Sequence, residues 1–529
     1  MRYLCSILVF LTAAWGQPVQ QKPARERSEE EKVAEREKAR ELLDAAAKMV
    51  ASVQPQVQVA ALLHLGDNYN LIDKKKSLEA LEQAFASAAD LPSGTQTDWR
   101  GDMQALVIGA VADVDLAKAL ELLPQLAASA SDLPDRRLPT TEKIVRLLLE
   151  KSRFDKAIAV VESVGSTGEY PINAARMIFA KLPEDDARRV QVFSAATSAY
   201  TARPRGPMGE FLSRHWREVP RPMAESAMQA MLNAIFSKKE ESDAATTTMS
   251  TAKGNVGFSS PQDRELFDIL HVVQAIDPKR ANEILETRHD LRAAVGRFPE
   301  GTASMRSGEN DSMSMSVTRG GGKPDPQQQA RQQMEGIARS RAAEAMEVAR
   351  QDPQTALSLV RAIPSPAIQA QVLGSIARSV SEKDPTTAKS VLDQCIHILN
   401  ELKDPRERMQ SWEIVAEAAY RAKEEQRARE AIDRGMSDAA ELYKRDADAE
   451  RGNSALREYW PSTQSYRRLV HRAATLFGPD AEQLLTKITD PELALLARIE
   501  MAQSLLGRAT SATQTRFDGG GQRQLQQAR

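Results

Sequence analysis

Residues 384–405 read DPTTAKSVLDQCIHILNELKDP, and this stretch shows how the chain is built. An Asp-Pro pair stands at each end, and apolar residues recur between them every three or four positions, as on the buried face of a helix. Proline lacks an amide hydrogen and disfavours helix in the residue before it, so the incoming helix ends there. Aspartate then caps the next helix, whose first residue is the proline. The stretch therefore predicts one amphipathic helix between two capped turns. The apolar face consists of Ala388, Val391, Leu392, Cys395, Ile396, Leu399 and Leu402.

The Asp-Pro pair recurs through the chain, each time between segments with helical periodicity. Its aspartates are Asp277, Asp352, Asp384, Asp404 and Asp490. An aspartate before proline can also serve in catalysis or bind a metal, but we expect helix capping at all five. Short turns between amphipathic helices imply antiparallel neighbours. Because the spacing of the pairs varies, the sequence predicts an all-α fold, an irregular α-solenoid of antiparallel helical hairpins.

Two further signals predict helix starts in the first part of the chain. Ser28 and Glu31 have the spacing of a capping box, which predicts a charged helix after Ser28. Residues 53–59 alternate apolar and polar as a strand does, but Pro55 would interrupt a β ladder, so we predict helix there. No other stretch favours a sheet.

A family resemblance emerges in the same region. Leu65-Gly66-Asp67-Asn68-Tyr69 resembles the core of the first helix of a tetratricopeptide repeat, and Ala80 and Ala84 fall near the small positions of its second helix. The resemblance covers about 35 residues, one repeat length. The usual early tryptophan is missing. The resemblance implies an α-solenoid of a class that mostly binds proteins or peptides.

Polar stretches rich in Ser, Thr, Gly and Gln divide the chain. We expect a low-order loop at 237–261, a disordered linker at 299–333 and a disordered tail at 508–529. The linker separates an N-terminal helical-repeat domain at 29–298 from a C-terminal one at 334–507.

The N-terminus has the features of an export signal. Arg2 is followed by an apolar run over residues 3–14, and Ala14-Trp15-Gly16 forms a small-residue cleavage site. We therefore predict a signal peptide at 1–16, a flexible leader at 17–28 and an exported protein, periplasmic or extracellular. The alternative is an uncleaved segment that anchors the chain to the membrane.

Cysteine usage agrees with this organisation. The chain has two cysteines, and cleavage would remove Cys5 and leave Cys395 alone. Cys395 lies on the apolar face of its helix, so we expect it to pack in the core as a small hydrophobic residue. The alternative is a reactive thiol.

Composition and motifs give few signs of chemistry. The 71 Lys and Arg nearly balance the 73 Asp and Glu, so the chain lacks the basic field of a nucleic-acid binder. The six histidines include no pair at metal-binding i,i+4 spacing, and Gly320-Gly321-Gly322-Lys323 lacks the spacing of a phosphate-binding loop. We predict no cofactor, no metal and a non-enzymatic protein. The alternative is a cell-envelope hydrolase whose site is assembled from scattered residues.

The first candidate binding surface lies between Arg203 and Arg221. Five arginines outnumber two glutamates there, with His215 and Trp216 at the centre. Arginine beside an aromatic ring can recognise carboxylate or phosphate groups, which selects Arg214, Trp216 and Arg217. The alternative is a solvated basic rim with Trp216 packed inward.

The second candidate surface is aromatic. Tyr459, Trp460, Tyr466, Arg467 and Arg468 cluster in a chain with only 5% aromatic residues. Tyr, Trp and Arg are enriched at interface hot spots. Core packing of a terminal helix pair is the alternative. Together the two surfaces predict a scaffold that binds a protein or peptide partner.

Overall fold

Helices dominate the structure, a computed structural model, and the predicted all-α architecture is confirmed. The structure describes residues 28–91, 99–126, 135–237, 246–251, 253–258, 260–305, 314–318, 326–349, 351–449, 457 and 460–510.

Consecutive helices of the first part pack as hairpins, as the periodicity predicts. They are α1 (Glu29–Met49), α2 (Pro55–Tyr69), α3 (Lys74–Ala88), α4 (Trp99–Val114), α5 (Leu116–Leu122), α6 (Arg137–Glu150), α7 (Phe154–Thr167), α8 (Ile172–Lys181), α9 (Ala187–Ala202), α10 (Gly206–His215), α11 (Arg221–Phe236), α12 (Pro261–Ile276), α13 (Pro278–Glu286), α14 (His289–Arg297) and α15 (Thr302–Met305). Short 3-10 turns cover Val50–Ser52, Leu123–Gln125 and Trp216–Glu218.

The second part continues the same arrangement, and most of its helices begin with proline. They are α16 (Pro326–Val348), α17 (Pro353–Val360), α18 (Pro366–Val380), α19 (Pro385–Glu401), α20 (Pro405–Arg421), α21 (Glu425–Ala449), α22 (Pro461–Phe477), α23 (Glu482–Leu485) and α24 (Pro491–Thr510). A 3-10 turn at Gly478–Ala481 precedes α23.

The aspartates of all five Asp-Pro pairs cap helices, as predicted. Each accepts a hydrogen bond from the amide of the second or third helical residue, and each proline is the first residue of its helix. Asp490 accepts two such bonds, at 2.9 and 3.0 Å. Ser28 forms the predicted capping box with Glu31, and Pro55 begins α2.

A small sheet corrects the prediction that the chain has no strands. β1 (Thr246–Thr251) pairs antiparallel with β2 (Gly254–Phe258) and with β3 (Ser314–Thr318), in the order β2-β1-β3. Val256 and Phe258 alternate with exposed residues and are buried, as expected for a strand that packs one face on a core. The segments predicted as a low-order loop at 237–261 and a linker at 299–333 therefore contain strands, and α16 begins within the second.

The two ends of the described chain meet. α1 packs along α24, and α2 contacts α24 as well. The Lys38 ammonium lies 2.7 Å from the Glu482 carboxylate, and the Gln54 amide donates to Glu492 at 3.5 Å. One apolar cluster extends from Ala39 to Leu506.

The helices at the two ends of the described chain therefore lie side by side. β3 lies on the sheet of the first part, and eight peptide units separate its last residue, Thr318, from Pro326 at the start of α16. Eight units span at most about 29 Å, which is the greatest distance that can separate Thr318 from the start of α16. At its other end the second part returns to α1 through α24. The domain boundary at 299–333 stays a prediction, and the core includes residues from both sides of it.

Several predictions fall outside the described residues. These are the signal peptide, nearly all of the leader and most of the tail, although α24 continues to Thr510, past the predicted tail start at residue 508. Among the described helices, none is both long enough and apolar enough to span a membrane.

Cys395 occupies the core position that its helix periodicity predicts. It is fully buried, and its thiol donates to the Ala370 carbonyl at 3.1 Å. Burial raises the pKa of the Cys395 thiol to about 12. The reactive-thiol alternative therefore has no support in this structure, since the thiolate is the reactive form.

Candidate interaction surface

The first candidate surface lies on a turn between two helices. α10 ends at His215, a 3-10 turn covers Trp216–Glu218, and α11 begins at Arg221. Pro220 precedes α11, and Pro222 occupies its first turn. Because prolines at these positions favour an extended entry and a new helix start, the chain must turn here. The turn presents Arg214, Trp216 and Arg217, which we call the Arg–Trp surface.

An arginine covers the tryptophan ring on this surface. The Arg217 guanidinium lies 5.0 Å from the centre of the Trp216 ring, within range of a cation–π interaction. Trp216 is half-buried and packs against the core, whereas the Arg217 side chain is 62% exposed. The ring is therefore a platform fixed from below, with a charged group on its outer side.

Both arginines have exposed acidic partners. The Arg217 guanidinium lies 3.5 Å from Glu300, and Arg214 donates to Glu210 at 3.3 Å. Both glutamates are themselves about half exposed. Exposed ion pairs contribute only about 0–1 kcal/mol, so these arginines can exchange partners at little cost.

A packed histidine supports the turn from beneath. The His215 ring lies 4.6 Å from Phe179 and 5.0 Å from Phe211, measured between ring centres. Its Nδ1 lies 2.7 Å from the Glu218 carboxylate, which also accepts from Arg189. Burial, together with the charges of nearby arginines, lowers the pKa of His215 to about 4. The ring is therefore neutral at pH 7 and donates its Nδ1 hydrogen to Glu218.

Glu300 is positioned by a tight turn against α12. The next residue, Gly301, has a φ of +60°, and an added Cβ would lie 2.4 Å from the Phe267 carbonyl oxygen. Only glycine fits there without moving the backbone. The Thr302 amide and hydroxyl both donate to Asp268, which attaches this turn to α12. Burial raises the pKa of the Asp268 carboxyl.

Another histidine joins the same helix to α10. His271 Nε2 donates to the Ser213 carbonyl at 3.0 Å. Burial lowers the pKa of His271, so this ring is also neutral at pH 7. Neutral rings with backbone or carboxylate partners are typical of structural histidines. The two histidines therefore position the Arg–Trp surface and are not exposed as part of it.

The arginines around this turn are largely neutralised. Arg221 pairs with Glu225 at 2.9 Å, and Arg205 lies 3.9 Å from Glu169. Arg203 is exposed. The sequence window showed more arginines than glutamates because several of the acidic partners belong to other elements. The surface is consequently one of paired charges around an aromatic platform.

The second candidate surface is mostly interior, which corrects the prediction of an aromatic binding patch. Trp460 is 6% exposed and Tyr466 is 2% exposed. The ring of Trp460 packs 5.5 Å from that of Tyr443. Arg467 donates to the Glu500 carboxylate at 2.9 Å, inside the junction of α22 with α24. Core packing of a terminal helix pair, the alternative interpretation, accounts for these residues.

Arg468 and Tyr459, the other members of the second candidate surface, do not provide an exposed aromatic patch in the described structure. Arg468 is exposed and donates to the Ser465 hydroxyl at 3.0 Å. Tyr459 lies outside the described residues.

One group of residues resembles a hydrolytic triad in composition. Ser504 Oγ lies 2.7 Å from His471 Nδ1, and Glu500 Oε1 lies 3.4 Å from the same nitrogen. A triad needs the serine and the acid on opposite ring nitrogens, so that the histidine can take a proton from one while the other orients it. Ser504 is also 4% exposed and donates to the Glu500 carbonyl. Burial would raise the pKa of the Glu500 carboxyl, but His471 and Arg467 outweigh it and hold this pKa at about 2. The geometry suits a structural ion-pair network.

Metal ligands do not gather in the described part of the chain. No group of three His, Cys, Asp or Glu side chains there could hold a metal ion. Gly320-Gly321-Gly322-Lys323 lies outside the described residues.

Comparison with known proteins gives a structural likeness and no sequence relative. No protein-family model and no curated protein matches the chain. Among solved structures, it is similar to a "Circular tandem repeat protein with novel repeat topology and enhanced subunit contact surfaces". The alignment covers 92% of this chain and 98% of that one, with 11% identity and a TM-score of 0.22. This likeness carries no argument about fold or function, and the helical-repeat character of the chain rests on its own helices.

Sequence reasoning found the exposed members of the surface and missed its supports. Trp216 and Arg217 follow from the window 203–221, whereas Glu300 lies in the segment predicted to be a linker. Arg189 lies on α9, an element the window did not include. The sequence shows Glu218 only as one of the two acidic residues in this window, and does not show that it binds His215 and Arg189. No local pattern links these residues, because the contacts form between distant helices.

Proposed function

We propose that this chain is an exported, non-enzymatic scaffold that binds a protein or peptide partner through the Arg–Trp surface. The observation that carries the proposal is the stack of exposed Arg217 on half-buried Trp216. Arg and Trp are the residue types most enriched at interface hot spots. A platform that is already packed from below loses little conformational entropy on binding.

The charge of the surface indicates the chemistry of its partner. Arg214 and Arg217 each face a solvent-exposed glutamate, and a partner carboxylate can replace that glutamate. Arginine also forms bidentate hydrogen bonds with carboxylates. We therefore expect a partner surface with acidic side chains next to an apolar group that covers Trp216.

Affinity capture from the native cell envelope tests this proposal. The mature protein and its Trp216→Ala and Arg217→Glu variants are used as bait, and bound proteins are quantified by mass spectrometry. Arg221→Ala is the matched control, because this arginine is exposed on the same turn but pairs within its own helix. We expect one set of proteins to be lost with the first two variants and retained with the control. Equal recovery with all four baits would contradict the proposal.

Export rests on the N-terminal residues alone. We propose that the chain is cleaved after Gly16, given Arg2 and the apolar run at 3–14. N-terminal sequencing of the native protein should start at or near Gln17. A native protein that begins at Met1 would refute cleavage and favour a retained anchor.

The helical hairpin of α2 and α3 supports a more specific affiliation. We propose that it is a tetratricopeptide-like unit, since residues 65–69 lie in its first helix and Ala80 and Ala84 are buried in its second. Gly66 lies against Leu81 of the facing helix. A small residue at this point allows the two helices to approach closely.

A hydrolase remains the competing proposal, and one contact favours it. Ser504 and His471 are within hydrogen-bond distance. If they are catalytic, Ser504→Ala should abolish hydrolysis of ester and peptide substrates while the fold is retained. We expect wild type and variant to be equally inactive, because the serine is buried and contacts the same ring nitrogen as the acid.

A further inference from the structure

A polar groove separates α17 from α19. It has a volume of about 290 Å³ and is lined by Gln354 and Ser358 of α17, by Arg361 directly after that helix, and by Ser390 and Gln394 of α19. α18 connects the two helices and packs against both of them. The groove lies far along the chain from the Arg–Trp surface, in the second part of the array.

The lining residues form two facing rows. Gln354, Ser358 and Arg361 follow one another at i, i+4 and i+7, and Ser390 and Gln394 are an i, i+4 pair. Residues at these spacings lie on one face of a helix. The row on α17 is about 10 Å long at 1.5 Å per residue. An extended peptide covers this length with about three residues, at roughly 3.3 Å each.

The groove has hydrogen-bonding capacity that the protein itself does not use. Among the described residues, the side chains of Gln354, Arg361, Ser390 and Gln394 have no hydrogen-bond or ion-pair partner. A glutamine amide offers two donors and one acceptor oxygen, the same groups as a peptide backbone. The Ser358 hydroxyl donates to the Thr355 carbonyl at 2.6 Å, which leaves its oxygen as an acceptor.

The groove also has an apolar contact and a single positive charge, which favour a ligand with an apolar group and an acidic group. Half-buried Leu357 supplies apolar area to the groove, and Val391 is buried beneath it. Arg361 is the one charged residue among those that line the groove in the described part of the chain. It lies at the end of α17, so one end of the groove is positive and the rest is neutral.

We propose that this groove binds an extended peptide segment of about three residues, with an aspartate or glutamate side chain at Arg361. The side-chain amides of Gln354 and Gln394 bond to the peptide backbone, and a β-branched residue contacts Leu357. The proposal rests on the proposed function, because it gives the scaffold a second, separate peptide contact. Recognition by backbone bonds plus one side-chain pocket is a common mode for extended peptides.

The test uses three synthetic nonapeptides and the full-length mature protein. Each peptide is acetylated and amidated, with Gly-Ser flanks around Val-Asp-Val, Val-Asn-Val or Val-Lys-Val. Binding is measured at low ionic strength by ligand-detected NMR. We expect the Asp peptide to bind about threefold tighter than the Asn peptide, the scale of an exposed ion pair, and the Lys peptide to bind most weakly.

Variants decide which residues act. Arg361→Glu should reverse the order, so that the Lys peptide binds better than the Asp peptide. Gln354→Ala with Gln394→Ala should weaken all three peptides. Arg146→Glu is the control, since this arginine is also exposed on a helix but lies on α6. Circular dichroism verifies that each variant is folded.

Three results would overturn the groove proposal. They are the absence of binding by every peptide, equal binding of the three, and an unchanged order in Arg361→Glu. Failure here is distinguishable from failure of the proposed function. If capture through Trp216 and Arg217 succeeds while the peptides do not bind, the scaffold remains and the groove is not its peptide site.

Discussion

Replacing Gly66 by alanine is expected to destabilise the protein, although alanine is the better helix former. Gly66 lies within α2, where a new side chain would point at α3. A Cβ at this position would lie 2.5 Å from Cγ and from Cδ2 of Leu81, whereas ordinary contacts begin near 3.4 Å. Leu81 is fully buried, so its side chain has little room to move away.

Two opposing effects set the size of the change. Alanine in a helix interior gains about 0.5–1 kcal/mol over glycine. Forcing an extra methyl group into a packed core costs about 1–3 kcal/mol. The overlap at Leu81 is close to 1 Å, which favours the upper part of that range. We therefore expect Gly66→Ala to lower the free energy of unfolding by about 1–2 kcal/mol net.

The same substitution at another glycine provides the control. Gly336 lies inside α16, and a Cβ there would meet nothing within 4 Å. Gly336→Ala should therefore stabilise the protein by about 0.5–1 kcal/mol. Urea unfolding followed by circular dichroism compares the two variants with wild type. A double variant, Gly66→Ala with Leu81→Ala, should lose less stability than the sum of its single changes, because the added methyl fills part of the cavity.

The sign of the difference is the decisive result. If Gly66→Ala stabilises the protein as Gly336→Ala does, α2 and α3 do not approach as closely as described here. The tetratricopeptide-like affiliation of this hairpin would lose its structural support at the same time.

Three further predictions concern single residues. Asp490→Ala should lower stability by about 1 kcal/mol and Asp490→Asn by less, since asparagine still caps; chemical denaturation checks the order, and equal loss in both would contradict capping. Cys395 should resist a thiol reagent at pH 8 until the protein is unfolded, because burial raises its pKa to about 12; fast labelling of the native protein would contradict burial. The pKa of His215 is about 4 in the folded protein and near 6.5 when unfolded, so the unfolded state binds the proton first as pH falls; stability should decline between these two pH values, and less so in His215→Gln. An unchanged pH profile in that variant would refute this assignment.

Local features of the fold were predictable because their causes lie within a few residues. An N-cap depends on an aspartate and on amides two or three positions later, so Asp384 and Asp490 could be assigned from sequence. Pro55 decided between helix and strand for the same reason. Cys395 followed from its place in a run of seven apolar residues.

The sheet and the contact between the two ends of the described chain were not predictable in this way. β1 and β2 are only five or six residues long, and their threonines and glycines read equally well as a loop. β3 pairs with β1 across several helices, and this pairing has no local signature. The contact of α1 with α24 likewise joins the two ends of the described chain. Hydrophobic periodicity predicts that each helix has a buried face, but it does not predict which helices pack together.

The two candidate surfaces differ in burial, which also depends on contacts between distant residues. From residue types alone, the patches around Trp216 and Trp460 are equally good candidates for binding, because composition does not show which residues are buried. Trp216 follows an amphipathic helix on a turn and keeps part of its ring exposed. Trp460 immediately precedes α22. It packs against Tyr443 of α21 and is buried there. Only the tertiary packing separates the two.

The contact between α1 and α24 changes how this protein can come apart. In an open stack of helix pairs, the outermost pairs have one neighbour each, so unfolding begins by fraying at the two ends. Here each terminal helix shields the other, and neither has the exposed flank of an end repeat. Amide hydrogens in the buried turns of both helices should exchange as slowly as those of interior helices, and should become fast together when either helix is weakened. Unfolding would then begin with the separation of α1 from α24.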